Sequence, residues 1–154
     1  MTAIRADRQR VLAVASSGGH WVQLRRLSPA FEDQDVAYVT TDPGYRRDVG
    51  SARFYTVRDA NRWNKLAVVR CALAMFSVLL RERPSVVIST GAAPGYLAIR
   101  LGARMGARTV WIDSVANVEE LSLSGRMASA VADLCLTQWP HLAGGRVHYL
   151  GAVL

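Results

Sequence analysis

Short hydrophobic runs alternate with polar and glycine-containing stretches along most of the 154-residue chain. The short runs predict strands, and the longer amphipathic or apolar stretches between them predict helices. The predicted strands are Arg10–Ala15, Asp35–Thr40, Arg53–Val57, Ser85–Ser89, Arg108–Ile112, Leu134–Thr137 and Arg146–Leu150. The predicted helices run from about Trp21 to Ala30, Arg62 to Arg83, Tyr96 to Met105 and Gly125 to Ala132.

Strands that alternate with helices predict a parallel sheet with right-handed crossovers and helices on both faces. We therefore expect one α/β domain over residues 10–154, preceded by a flexible N-terminus over residues 1–9. The length suits one domain with a substantial core and is too short for two ordinary domains. The final residues, Gly151–Leu154, are mostly apolar and no helix follows them, so we expect a further segment or a partner there.

The chain is basic, with a formal net charge of +7 that arginine carries almost alone, since Lys65 is its single lysine. A basic domain attracts anionic partners such as nucleic acid, nucleotide phosphates or acidic lipid headgroups. A base-composition bias in the genome would produce the same arginine content, so both interpretations stay open. No base-reading or stacking motif accompanies the charge, and we expect no nucleic-acid partner.

Sequence features also favour a cytoplasmic protein. Residues 1–10 lack the apolar core of a signal peptide, and no stretch approaches the roughly 18 apolar residues of a transmembrane helix. Cys71 and Cys135 lie in apolar stretches without metal-ligand spacing, which is typical of reduced core residues in the cytosol. No motif requires a metal or a cofactor, and we predict neither.

The first predicted strand ends in Ser16-Ser-Gly-Gly-His20, directly before a predicted helix. We call this segment the first glycine turn. In open parallel sheets, ligands bind at the carboxyl edge of the strands. Two glycines let backbone amides approach an anionic or hydroxyl-rich ligand, and the helix that follows adds the positive end of its dipole. His20 stands at that edge and can move a proton near neutral pH.

The second glycine turn, Thr90-Gly-Ala-Ala-Pro-Gly95, repeats this arrangement after a later strand. One such turn often serves packing alone, whereas two on one sheet edge predict a shared crevice. Neither has the spacing of a dinucleotide-binding fingerprint or a P-loop. Asp113 follows another strand at the same edge, where it could bind sugar hydroxyls or accept a proton. Glu119 and Glu120, just beyond, are interpreted as solvated acids or as first-turn helix residues.

The predicted helix from Arg62 to Arg83 is apolar on nearly all sides between Cys71 and Leu80, and basic residues flank it. One interpretation is a helix that covers the sheet. Another is a helix whose exposed apolar flank enters a bilayer interface while arginines meet anionic headgroups, and the two can coexist. Trp21 and Trp63 fit either a core position or an interfacial anchor. The candidate membrane-contact residues are Arg62, Trp63, Lys65 and Arg70.

Five motifs in order resemble the asparagine-linked-glycosylation 14-like family of polysaccharide biosynthesis proteins, whose bacterial members serve capsule and exopolysaccharide assembly. The resemblance extends from about Val11 to Gly151. It implies a Rossmann-like, acceptor-side half of a GT-B glycosyltransferase. The motifs are Ser16–His20, Thr90–Gly95, Trp111–Ser114, Leu121–Gly125 and Ala132–Pro140.

The resemblance implies the acceptor-binding subunit of a two-component glycosyltransferase, which forms a heterodimer with a donor-binding subunit. That partner would supply the UDP-sugar, and this chain would hold a polyprenyl-diphosphate-linked acceptor. Eukaryotic members carry an N-terminal membrane-spanning helix that is missing here, so the contact with the inner face of the cell membrane would be peripheral. Two alternatives stay open: a non-catalytic scaffold that recruits the partner, and a stand-alone nucleotide-binding α/β enzyme.

The resemblance also implies roles for individual residues. His20 would be the base for the acceptor hydroxyl. Asp113 is a second candidate base, although it falls where the family usually has the longer glutamate. The first turn would face the cleft and the second would surround the acceptor diphosphate. The implied acceptor and phosphate ligands are Ser17, Gly18, Gly19, Thr90, Gly91 and Gly95.

Overall fold

The computed structural model describes residues 7–153. Its strands are β1 (Arg10–Val14), β2 (Asp35–Thr40), β3 (Arg53–Thr56), β4 (Val86–Ser89), β5 (Arg108–Ile112), β6 (Leu134–Thr137) and β7 (Val147–Tyr149). Its α-helices are α1 (Gly19–Leu27), α2 (Lys65–Glu82), α3 (Ala92–Arg104) and α4 (Leu123–Ser129). Short 3₁₀ helices occupy Ser28–Ala30, Pro43–Val49 and Pro140–Leu142.

The seven strands form one parallel sheet in the order β3-β2-β1-β4-β5-β6-β7. The chain winds outward from β1 to β3, returns through α2 to β4 on the other side of β1, and then winds outward again. The strand order therefore reverses between β1 and β4. In open α/β sheets, the crevice at such a switch point is the usual ligand site. Both glycine turns begin at the carboxyl ends of these two strands.

Alternate residues of β1 face two hydrophobic cores. Val11 and Ala13 pack on the side that α1 covers with Trp21. Leu12 and Val14 pack on the opposite side with residues from α2, α3 and α4. The predicted α/β fold, with a parallel sheet and helices on both faces, is confirmed.

The strands match the predicted ranges to within one residue at every end, whereas all four helix starts differ. Helices α1 and α4 each begin two residues before the predicted start, and α2 and α3 differ by more. Helix α2 begins at Lys65 and not at Arg62. The Asn61 side chain accepts hydrogen bonds from the amides of Trp63 and Asn64, which makes a turn of this segment. The Asn64 side chain then caps the helix by accepting from the amide of Ala67 at 3.0 Å. Arg62 and Trp63 therefore lie in the turn before the helix.

Helix α3 begins at Ala92, four residues earlier than predicted. The sequence Ala-Ala-Pro-Gly95 reads as a turn because proline and glycine are common in turns. Pro94 nevertheless fits the first turn of a helix, where backbone amides have no intrahelical acceptor to lose. Gly95 consequently lies inside α3, and the second glycine turn is limited to Thr90 and Gly91.

Residues 1–6 of the predicted flexible N-terminus lie outside the described residues. Within the described part, Gln9 is fixed against the start of β2. Its amide donates to the Gln34 side chain at 2.9 Å, and its carbonyl accepts from the amide of Asp35 at 3.0 Å.

An ionic network fastens the edge strand β3 to the last turn of α2. Arg53 lies 2.9 Å from Asp35 and donates to both carboxylate oxygens of the buried Glu82. The Tyr55 hydroxyl also donates to Glu82. Hydrogen bonding to Asp35 raises the pKa of Arg53, which favours the protonated guanidinium in this network.

Candidate functional site

His20 and Thr90 connect the two glycine turns at the switch point. His20 Nδ1 lies 3.0 Å from the Thr90 carbonyl oxygen, and the Thr90 hydroxyl donates to the His20 carbonyl at 2.7 Å. Because a carbonyl oxygen only accepts, Nδ1 carries the proton of the neutral ring, and Nε2 is left as an acceptor. Within residues 7–153, no hydrogen bond occupies Nε2. The ring is half-buried, and Nε2 is the ring nitrogen that remains available as an acceptor.

Gly91 makes this approach possible. Its φ of 149° lies in the region that favours glycine. A Cβ atom there would lie only 2.2 Å from His20 Nδ1. The Gly91 amide donates to the Ser89 hydroxyl at 3.2 Å. The glycine is thus required by the histidine beside it.

Side chains from the segment after β2 hold part of the first glycine turn. The Ser17 amide donates to the Thr41 hydroxyl at 3.0 Å, and the Gly18 amide donates to the Tyr45 hydroxyl at 3.1 Å. Two of the backbone amides predicted to contact a ligand are therefore engaged within the protein. Gly19 opens α1, whose first amides have no intrahelical acceptors and carry the positive end of the helix dipole.

The structure places Thr90 and Gly95 in packing positions. Thr90 is fully buried, and its hydroxyl is engaged by His20. A Cβ atom on Gly95 would lie 2.0 Å from the Ser89 hydroxyl and 3.4 Å from the Trp111 ring. Gly95 therefore lets the first turn of α3 approach β4 and β5 closely.

Hydrogen-bond donors of the protein surround the Asp113 carboxylate. It accepts from the Trp111 indole at 3.1 Å, from the Asn117 amide group at 2.9 Å, and from both the hydroxyl and the backbone amide of Ser122 at 2.7 and 3.0 Å. Asp113 is only 1% exposed. This geometry organises residues 114–122 and leaves the carboxylate little room for an acceptor hydroxyl.

Two buried glutamines join Asp113 to the rest of the edge, and neither was predicted to be a site residue. Gln23 and Gln138 donate to the Asp113 carbonyl at 3.2 and 3.1 Å. Gln23 lies three residues after His20 on α1, so the two side chains share a helix face. Gln138 belongs to the Ala132–Pro140 motif, which is the one sequence signal that marked it. His20 is thus linked to Asp113 through helix α1, on which Gln23 also lies.

The loop after β5 receives two further hydrogen bonds from the segment after β6. The Trp139 indole donates to the Val115 carbonyl at 2.8 Å, and His141 Nε2 lies 2.6 Å from the Val118 carbonyl. Glu120 forms a surface ion pair with Arg126 at 2.9 Å. Across residues 7–153, no three His, Cys, Asp or Glu side chains are grouped to hold a metal ion.

Helix α2 has an exposed apolar strip opposite its packed face. Cys71, Met75, Val78 and Leu79 face the core, so the helix does cover the sheet. The strip recurs every three or four residues, as one helix face does. It consists of Leu66, Val69, Leu73, Phe76 and Leu80.

The basic residues predicted to contact a membrane gather at the first end of this strip. Trp63 is 81% exposed, and the Arg62 guanidinium lies over its ring at 4.5 Å, whereas Trp21 is buried in the core. Lys65 and Arg70 are exposed on α2. No helix among residues 7–153 is long and apolar enough to cross a bilayer.

Solved structures show which known fold this chain shares. The chain superimposes on MurG from Acinetobacter baumannii with a TM-score of 0.73 at 10% identity, covering 91% of this chain and 45% of MurG. A glycosyltransferase from Rickettsia africae matches with a TM-score of 0.66 at 9% identity, over 94% of this chain and 43% of that protein. The chain thus spans a little under half the length of these structures. Its fold is that of one half of a GT-B glycosyltransferase.

The same architecture occurs in UDP-N-acetylglucosamine 2-epimerase from Rickettsia bellii. That match has a TM-score of 0.69 at 13% identity and covers 94% of this chain and 45% of the epimerase. At such low identities the likeness concerns the fold alone.

Sequence comparisons identify the family. Residues 46–153 match the family model described as "Oligosaccharide biosynthesis protein Alg14 like". The UDP-N-acetylglucosamine transferase subunit ALG14 of Eremothecium gossypii is 28% identical over 97% of this chain and 82% of its own length. Its Schizosaccharomyces pombe counterpart is 43% identical over 61 residues, which are 38% of this chain and 28% of that protein. The chain belongs to the Alg14 family, as its motifs predicted.

Proposed function

We propose that this chain is the acceptor-binding, membrane-associating subunit of a two-component glycosyltransferase in polysaccharide biosynthesis, of the capsule or exopolysaccharide type. The enzyme transfers a sugar from a UDP-sugar to a polyprenyl-diphosphate-linked acceptor. The observation that carries the proposal is the His20 ring at the switch point of a GT-B half, with Nδ1 held by Thr90 and Nε2 free. Family membership supplies the reaction class.

The proposed reaction is a direct displacement at the anomeric carbon of the donor sugar. The acceptor hydroxyl oxygen attacks that carbon, and the bond from the carbon to the UDP oxygen breaks with its electron pair leaving on UDP. His20 Nε2 takes the hydroxyl proton as the new bond forms. The Thr90 carbonyl then stabilises the imidazolium through Nδ1–H, and the first amides of α1 favour negative charge nearby.

A second subunit is part of the proposal, because the relatives from both fungi are named transferase subunits. We assign donor binding to the partner and acceptor binding to this chain. The apolar strip and its basic end support peripheral attachment to the inner face of the cell membrane.

The test of the base is turnover by the complex reconstituted with its donor-binding partner. We expect His20→Asn to lower turnover by about 10²–10⁴-fold, the usual contribution of general-base catalysis. An asparagine amide can still donate to the Thr90 carbonyl, so the turn is retained while the base is lost. His20→Ala should lose activity similarly and serves as the larger truncation.

The same assay separates the alternatives. A scaffold without catalytic residues predicts that His20→Asn turns over like the wild type, and a stand-alone enzyme predicts turnover without the partner.

Asp113→Asn should lower stability because its four donors lose a charged acceptor. If the folded fraction of Asp113→Asn loses turnover while His20→Asn retains it, Asp113 is the base instead.

A further inference from the structure

A cavity of about 540 Å³ lies between the end of β3 and the first half of α2. Thr56, Val57 and Arg58 line it from the sheet, and Arg70 and Ala74 line it from the helix. The cavity belongs to the carboxyl edge of the sheet, where His20 also lies. Strand β3 is two positions from β1, so the two strand ends are on the order of 10 Å apart.

Neither arginine of this cavity forms an ion pair within residues 7–153. Within residues 7–153, ion pairs between guanidinium and carboxylate groups involve only Arg53 and Arg126. Arg58 and Arg70 therefore have no carboxylate of the described residues within 4.0 Å. The neighbouring acid, Asp59, accepts from the Ala60 amide at 2.8 Å. Two free guanidinium groups beside one cavity suit a phosphate or diphosphate, whose oxygens accept paired hydrogen bonds.

A second arginine-lined cavity, of about 390 Å³ beside α1, shows the contrast. Its Arg53 is paired with Asp35 and Glu82, and its Arg25 donates to the Tyr38 hydroxyl at 3.0 Å. The charge of that cavity is already compensated. Of these two cavities, that of Arg58 and Arg70 is the better site for an anion.

The neighbouring surface indicates which anion fits. Arg70 follows Val69 directly and precedes Leu73 by less than one turn, so the cavity opens beside the apolar strip of α2. On a bilayer contacted through this strip, the two guanidinium groups lie at the depth of the lipid headgroups. The Thr90 hydroxyl, an earlier candidate for the diphosphate, is engaged by His20.

We propose that the cavity of Arg58 and Arg70 binds the terminal phosphate or diphosphate group of a lipid in the leaflet that the apolar strip contacts. The inference rests on the proposed function, because the lipid-linked acceptor is the ligand with this chemistry. A diphosphate held there anchors the acceptor, whose sugar extends along the sheet edge toward His20.

The test compares binding of the full chain to vesicles of phosphatidylcholine with and without a polyprenyl diphosphate. We expect Arg58→Gln/Arg70→Gln to weaken binding to the diphosphate vesicles by about 10–100-fold, as loss of two charge-assisted contacts predicts. The matched control is Arg104→Gln/Arg108→Gln, which removes the same charge from exposed residues at the opposite, amino edge of the sheet. That control should change binding by less than about threefold. Circular dichroism and thermal unfolding establish that both variants fold.

Two further arms identify the source of the phosphate. Vesicles of phosphatidylglycerol with equal surface charge should lose much less binding in the Arg58→Gln/Arg70→Gln variant, because Arg70 there is only one of several basic contacts with the headgroups. Equal losses on both kinds of vesicle would show general charge attraction and overturn the proposal. Inorganic diphosphate should compete only weakly with the diphosphate vesicles for binding to the chain. If its binding depends on the two arginines while vesicle binding does not, the cavity binds a soluble anion and the lipid assignment is wrong.

The proposal for the cavity and the proposal for the base can be contradicted independently. His20→Asn should bind diphosphate vesicles like the wild type while the reconstituted complex loses turnover. Arg58→Gln/Arg70→Gln should raise KM for the lipid acceptor and leave kcat at saturation largely unchanged. Normal turnover in His20→Asn contradicts the base alone, and unchanged vesicle binding in the arginine variant contradicts the cavity alone.

Discussion

Which nitrogen of His20 holds the proton decides whether the ring can act as a base, and Thr90 makes that choice. The two residues are 70 positions apart and exchange two hydrogen bonds. The sequence predicted a histidine at the right edge because hydrophobic runs locate strand ends well. It could not predict the tautomer, since that depends on a carbonyl group brought there by the whole sheet.

A substitution of Gly91 tests this contact at the scale of one residue. Gly91→Ala places a Cβ atom 2.2 Å from His20 Nδ1 at a φ of 149°. We expect unfolding free energy to fall by about 2–4 kcal/mol, combining backbone strain with displacement of the ring. Urea unfolding measures the change.

Gly19→Ala is the matched control for this variant. Gly19 has no positive φ, and a Cβ atom there meets nothing within 4 Å. Alanine at the start of α1 should leave stability within about 1 kcal/mol of the wild type. If Gly91→Ala is equally neutral, His20 is not held as described.

At the scale of elements, strand positions were predictable and helix starts were not. Strands β2, β5 and β6 occupy their predicted ranges because buried parallel strands are continuous apolar runs. The start of α2 depends on the side chains of Asn61 and Asn64, and that of α3 on a glycine cap followed by a tolerated proline. Such local hydrogen bonds leave no periodic signal in the sequence.

Two adjacent leucines of α2 separate packing from surface function. Leu79 is fully buried, and Leu80 is 50% exposed on the apolar strip. Leu79→Ala should cost about 2–5 kcal/mol of unfolding free energy because it leaves a cavity. Leu80→Ala should change stability by less than about 0.5 kcal/mol and weaken sedimentation with every kind of vesicle. If Leu80→Ala sediments with vesicles as the wild type does, membrane contact through α2 is contradicted.

At the scale of the molecule, the two buried thiols predict how stability depends on alkaline pH. Burial, with smaller effects from Asp59 and Asp113, raises the pKa of Cys71 and Cys135 from 9.0 to about 11. The unfolded chain therefore loses thiol protons at a lower pH than the folded protein. The contribution of the thiols to the free energy of unfolding is fully present below pH 9. It is lost as the pH rises toward 11, by on the order of 2 kcal/mol per thiol.

Urea unfolding at pH 8 and pH 10.5 measures this loss. Burial also raises the pKa of Tyr38 and Tyr55, so a variant without thiols is needed to isolate the cysteine contribution. Cys71→Ala/Cys135→Ala should be less stable than the wild type at pH 8 but lose less on going to pH 10.5. Equal losses in the two proteins would rule out the thiols as the cause.

The overall fold followed from the sequence further than the site did. Alternating strands and helices were sufficient to predict the parallel sheet and its ligand edge. The enclosure of Asp113 was not predictable, because its donors come from residues 111, 117 and 122 after the loop has folded. The same holds for Gln23 and Gln138, whose shared acceptor is a backbone carbonyl.

The direction of the apolar strip fixes how the molecule would sit on a bilayer. Helix α2 is the crossover between the parallel strands β3 and β4, so it runs antiparallel to them and extends about 27 Å. With that helix lying flat on lipid, the strands run parallel to the membrane plane and the carboxyl edge opens sideways. An acceptor anchored in the leaflet would then reach His20 by lateral diffusion, a two-dimensional search that never requires its polyprenyl chain to leave the bilayer.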